Sequence, residues 1–150
     1  MFPLRKIICP MDFSEPSFEG LKAATELAQK YSAELILINV VQPMQPVGPP
    51  GVPPSYTIHE YFNELTAAAQ KSFEEVVDDR IPEGVTVRTR VLRGHAADEI
   101  VREAETEGAD MIVTATHGWT GWRRFVFGSV AEKIVRLSTC PVLTVPAPKE

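Results

Sequence analysis

The sequence predicts an α/β fold, a doubly wound, five-stranded parallel sheet with four helices. Three observations carry that expectation. Short apolar runs alternate with longer stretches of helical periodicity in the order β-α-β-α-β-α-β-α-β. The run Ala33 to Val41 (AELILINVV) is almost continuously apolar, the pattern of a strand covered on both faces. The stretch Val113 to Pro146 reads as strand, glycine-punctuated loop, helix and strand, a βαβ unit whose helix start can face an anion. The 150 residues suit one domain spanning 1–150, with no internal repeat.

Leu4 to Cys9 is the first expected strand, ended by Pro10. Ser14, Glu15 and Pro16 then start a helix, with a hydroxyl N-cap, an acid near the positive dipole end and proline in the first turn. Phe18, Leu21, Thr25, Ala28 and Tyr31 recur along it at helical spacing. After the strand Ala33 to Val41, residues 42–56 carry six prolines with Gly48 and Gly51, a composition that excludes helix or ladder pairing and reads as a loop. Thr57 to Arg80 keeps a helical stripe through Ile58, Tyr61, Phe62, Leu65, Ala69, Phe73, Val76 and Val77.

Gly84 to Leu92 (GVTVRTRVL) alternates apolar and polar residues with period two, as a strand with one wetter face near a sheet edge does. Gly94 ends it. Ala97 to Glu107 is a helix that turns Ile100, Val101 and Ala104 inward and stops at Gly108. Met111 to Ala115, Ser129 to Leu137 and Val142 to Val145 complete the pattern as strand, helix and strand.

Composition narrows the function. A net charge of −5 argues against a nucleic-acid surface, because phosphate backbones need clustered cations, and Arg123–Arg124 is a single pair in a loop. No apolar run approaches the ~20 residues of a membrane span, and MFPLRKIICPMD lacks a signal-peptide core, so a cytoplasmic protein without membrane contact is expected. Cys9 and Cys140 are too few for a disulfide framework, lack zinc-site spacing, and read as buried free thiols.

In an open parallel sheet, ligands bind beyond the carboxyl ends of the strands, where strand order reverses. Neither G-x-G-x-x-G nor G-x4-G-K-[ST] occurs, so a phosphate cradle must be the loop after the fourth strand. Gly118 and Gly121 there permit close backbone approach, and Gly128 and Ser129 present N–H groups and a hydroxyl at a helix start. Arg123 and Arg124 are either countercharge or solvated surface. Ser129 with Glu132 also fits a capping box, which would satisfy the helix end without a ligand. Asp12, ending the first strand, can accept from ribose hydroxyls or cap the first helix. His117 has no nucleophile or second carboxylate beside it in sequence, His59 and His95 read as surface or helix-start residues, and no catalytic or metal constellation is visible.

From end to end the chain resembles the universal stress protein family. The resemblance rests on an I-x-x-P-x-D-x-S opening (IICPMDFS), Asn39-Val40 closing the second strand, Gly94, Asp110, the glycine loop and the CPVLTVP terminus. The family's nucleotide pattern, G-x2-G-x9-G-[ST], reads here Ala115-x2-Gly118-x9-Gly128-Ser129, with Gly121 inside the spacer and alanine for the first glycine. The resemblance implies a Rossmann-like fold of the adenine nucleotide alpha hydrolase-like type. It further implies a stress-response binding or sensing module that takes an adenine nucleotide, ATP, with or without Mg. Pro10, Met11, Asp12 and Val40 would then contact ribose and adenine, while Thr114, Ala115, His117, Gly118, Gly128, Ser129 and Val130 would line the phosphates and the adjoining wall. It implies also a homodimer formed along Val142 to Val145. Two other readings share the fold: a stress protein acting through dimerisation and protein partners without nucleotide, and a slow ATPase.

Overall fold

The computed structural model describes residues 3–43, 58–117 and 127–148. Most of the proline-rich loop, and with it Gly118, Gly121, Arg123 and Arg124, lies outside the described residues. The elements follow the expected order: β1 (Lys6–Pro10), α1 (Glu15–Tyr31), β2 (Glu34–Val41), α2 (Ile58–Arg80), β3 (Val87–Arg93), α3 (Ala96–Glu107), β4 (Met111–Ala115), α4 (Ser129–Leu137) and β5 (Val142–Val145).

The five strands form one parallel sheet in the order β3-β2-β1-β4-β5, so β3 is an edge strand, as its alternation predicts. Strand order reverses between β1 and β4, which places the switch point where the chain leaves those two strands. Successive side chains of each strand go to opposite faces. Ile7, Cys9, Leu35, Leu37 and Val113 pack with α1 and α2, whereas Ile8, Ile36, Ile38 and Ile112 pack with α3 and α4. The continuous apolar runs seen in sequence are the direct result, since both faces of β1, β2 and β4 are covered.

Local chemistry sets the helix ends. The Ser14 side chain accepts from the Ser17 N–H at the start of α1, and Ser32 ends that helix in the left-handed conformation. Gly108 does the same for α3, with its N–H donating to the Ala104 and Glu105 carbonyls. The α2 stripe is buried at Ala69, Phe73 and Val76, but Ile58 in the first turn is exposed. Cys9 lies fully inside the core, where burial pushes its thiol up to about 12. Cys140 departs from expectation: it is only half-buried, with Sγ 3.4 Å from Ser138 Oγ.

At the amino ends of the strands, charges replace apolar contacts. Arg88 of β3 makes a bidentate pair with Glu107 of α3 (2.9 and 2.7 Å) and donates to Glu34 of β2 at 3.0 Å. Lys6 of β1 reaches Glu107 at 3.1 Å, and Arg90 reaches Glu103 at 3.0 Å. Hydrogen bonds from Arg88 and Lys6 hold the Glu107 carboxyl down to about 2.

Candidate functional site

At the opposite end of the sheet, a cavity of about 540 Å³ opens over the switch point. Its size falls in the range of small-molecule sites. Pro10, Met11 and Asp12 bring β1 to it, and Val40 brings β2. Thr114, Ala115 and His117 come from the end of β4, and Gly128, Ser129 and Val130 from the start of α4. Ten of the eleven residues singled out in the sequence therefore meet at one cavity. The eleventh, Gly118, lies outside the described residues.

The turn after β1 is held by its neighbours. The Met11 N–H donates to the Ile38 carbonyl at 2.8 Å, and the Met11 carbonyl accepts from Asn39 Nδ2 at 2.8 Å. Asp12 Oδ1 accepts from the Ser14 N–H at 3.0 Å and from the Ser14 hydroxyl. Asp12 thus braces the residue that caps α1 but is not itself the cap, and it also lines the cavity. Between them Phe13 takes a left-handed φ of 61°. That conformation costs a bulky L-residue on the order of 1–3 kcal/mol and persists only where surroundings hold it.

Ala115 occupies a regular strand position opposite Val145 and needs no positive φ, so the alanine sits there without backbone strain. Thr116 then joins two elements: its N–H donates to the Val145 carbonyl at 2.9 Å, and its carbonyl accepts from the Gly128 N–H. Its hydroxyl lies 2.9 Å from His117 Nδ1, in a hydrogen bond. A Cβ at Gly128 would stand 3.2 Å from the Thr116 carbonyl oxygen, so the missing side chain is what lets α4 start against β4.

The capping box expected at Ser129 and Glu132 is not formed as a cap. Gly128 is the N-cap residue of α4, Ser129 is the first helical residue, and the Glu132 N–H donates to the Gly128 carbonyl. Gly128 has no side chain with which to cap the first turn. The positive end of the α4 dipole is therefore directed at the cavity without a side-chain oxygen from its own N-cap.

Sequence reasoning missed part of the wall. Ala96 and Ile100 of α3, Ile38 of β2 and Ala131 of α4 supply apolar surface, and Asn39, Gln42, Ser17 and Thr116 add polar groups. Ala96 and Ile100 belong to the inward stripe of α3, and nothing in the sequence separates a cavity-lining stripe residue from a core one. Among the described residues Asp12 is the carboxylate of the cavity wall, and no group of three or more His, Cys, Asp or Glu is gathered for a metal. Such a site can hold an anion at the α4 end, accept hydrogen bonds at Asp12 and bury a flat apolar group against Ile38, Val40 and Ile100. None of the described helices is long and apolar enough to cross a membrane.

Residues 3–146 match the universal stress protein family. Universal stress protein MJ0531 of Methanocaldococcus jannaschii is 38% identical over 146 residues, covering 97% of this chain and 84% of that protein. Universal stress protein YxiE of Bacillus subtilis is 33% identical over 145 residues, covering 93% and 97%. The solved structure of the hypothetical protein MJ0577 superposes with a TM-score of 0.81 at 28% identity, over 98% of this chain and 99% of that one. Two more distant structures are complexes. A universal stress protein with cAMP has a TM-score of 0.67 at 19% identity, covering 97% and 98%. One from Archaeoglobus fulgidus with dAMP has a TM-score of 0.55 at 22% identity, covering 96% and 98%. With a family match along almost its whole length and relatives above 30% identity, the chain belongs to the universal stress protein family.

Proposed function

We propose that this chain is a cytoplasmic stress-response binding module that takes ATP in the cavity over the switch point and works as a homodimer. The observation that carries the reading is the pairing, in one cavity, of an apolar wall and the Asp12 carboxylate with the start of α4. Those are the three demands of an adenine nucleotide: a slot for the base, an acceptor for ribose hydroxyls and a positive dipole for phosphates. The family members solved with cAMP and dAMP supply the precedent for the ligand class.

In this reading Pro10, Met11, Asp12 and Val40 hold base and ribose. Thr114, Ala115, His117, Gly118, Gly128, Ser129 and Val130 line the phosphates and the adjoining wall, with or without Mg on a bound triphosphate. Ala115 adds one methyl group where the family pattern has glycine, and its regular strand backbone leaves the approach of a phosphate open. The dimer forms along β5, an edge strand on which Leu143 is 40% exposed.

The test is direct. Protein as isolated is denatured and its supernatant chromatographed for adenine nucleotide, and the stripped protein is heated with millimolar ATP and magnesium. Copurified nucleotide and a rise in Tm of several degrees are expected, since a ligand at about 100 times its Kd stabilises by about 2.7 kcal/mol. Gly118→Val is expected to abolish the shift and leave the association state unchanged. Absence of both nucleotide and shift in the unaltered protein overturns the reading.

A further inference from the structure

Phe13 sits in a conformation that its side chain alone would not choose. Among the described residues two non-glycine positions have positive φ, and Ser32 is the common case, a small residue ending a helix. Phe13 (φ 61°) is bulky and lies in the turn between β1 and α1. Such a conformation is kept only when neighbouring contacts over-determine it, and it clusters at ligand sites. Three contacts do so here. Asn39 Nδ2 holds the Met11 carbonyl before it, and Asp12 Oδ1 holds the Ser14 N–H after it. The Phe13 ring meets Phe73 of α2 edge-on, with centroids 5.0 Å apart and planes at 65°.

Phe73 is among the most deeply buried side chains of the fold, so it is a fixed anchor. The left-handed residue sends two adjacent side chains apart: Asp12 lines the cavity, while Phe13 packs into the core between β1 and α2. An ordinary backbone at residue 13 would redirect the chain and break the Asp12–Ser14 bridge. We propose that Phe13 is a positioning residue, and that its strained turn, anchored on Phe73, holds Asp12 where it grips the sugar hydroxyls of a bound nucleotide. The inference rests on the nucleotide reading above and extends it to the part of the ligand that this turn controls. It also makes α2 a determinant of sugar selectivity, although Phe73 lies in the core and does not line the cavity.

The experiment compares binding of ATP and 2′,3′-dideoxy-ATP by calorimetric titration. Unaltered full-length protein is expected to favour ATP about tenfold, the value of one or two hydrogen bonds. Asp12→Ala and Phe13→Ala are each expected to bring that ratio near one, and the double variant to lower it no further; alanine removes the ring yet keeps the Cβ that disfavours positive φ. Dideoxy-ATP should bind Phe13→Ala within about twofold of the unaltered protein. If Phe13→Ala keeps the tenfold preference, or weakens both nucleotides equally, the positioning role is overturned. Should Phe13→Ala not fold, Phe73→Leu retains apolar volume but removes the ring, and an unchanged ratio in that variant overturns the role as well. Unaltered protein that binds both nucleotides equally removes this inference and leaves nucleotide binding standing. Binding of neither removes the functional reading and this inference with it.

Discussion

Gly20 of α1 lies against the strand end where the cavity opens, and a Cβ there would stand 3.2 Å from the Ala115 nitrogen. Helix propensity alone would favour alanine at this position by about 1 kcal/mol. The neighbour, however, is backbone, and Ala115 is paired in the ladder opposite Val145, so it has little room to yield. Gly20→Ala is expected to destabilise by about 1–2 kcal/mol through overpacking. It should also weaken ATP binding, since Thr114 and Ala115 line the cavity. Thermal unfolding and titration check both, and a gain in Tm would mean that propensity outweighs the contact. Single residues were unevenly legible in the sequence. Ser14 announces its cap through Glu15 and Pro16, and Asp12 ends a strand at a predictable place. The use of Gly20, Asn39 and Phe13 depends on partners far along the chain, Asn39 reaching a carbonyl 28 positions away, and no local pattern encodes that.

Among the elements, α3 is tied to the sheet by charge at its carboxyl end and by apolar contacts nearer its start. Glu107 meets Lys6 of β1 and Arg88 of β3, which lower its pKa from 4.5 to about 2. A carboxyl whose folded pKa lies below its unfolded value stabilises fully above the unfolded pKa and loses that contribution as pH falls through the folded one. The window is therefore about pH 4.5 down to about 2. Asp110 acts in the same direction: burial alone would raise its carboxyl, but the Arg5 and Lys6 N–H groups outweigh that effect and lower it. Glu107→Gln is expected to flatten the fall of Tm between pH 5 and pH 2 relative to the unaltered protein. Parallel curves would show that the pairs contribute nothing through folding. Element limits were read well where local signals end them, and β4, α4 and β5 have the bounds expected. The third strand starts at Val87 and not at Gly84 because its partner β2 first meets it at the Leu35–Val87 pair. Alternation in the sequence runs on past the end of the ladder, and only the partner strand decides where pairing begins.

For the molecule as a whole, the strand order could be anticipated in kind, since alternating strands and helices require parallel pairing with crossovers on both faces. The ion pairs at the amino ends of the strands could not, because Lys6, Glu34, Arg88 and Glu107 are scattered through the chain and read singly as solvated surface. The proposed dimer belongs to this scale. If β5 pairs with its twin, Leu143→Lys is expected to shift the protein to monomer in sedimentation and to lower Tm at a fixed protein concentration, since association stabilises the folded state by mass action. A variant that remains dimeric would move the interface elsewhere.

The central strand β1 is completed late in the life of the chain. Its second neighbour is β4, paired through Ile7–Met111, and its first residues are bound by Asp110, 105 positions beyond Arg5. At about 5–20 residues per second, the ribosome delivers Asp110 on the order of ten seconds after Arg5. Through that interval β1 can zip onto β2 but keeps one ladder edge open, bordered by Ile7, Ile8 and Cys9. The nascent protein is then a half-finished sheet with its future central strand at the rim, and it is in this interval that chaperones would matter most to it.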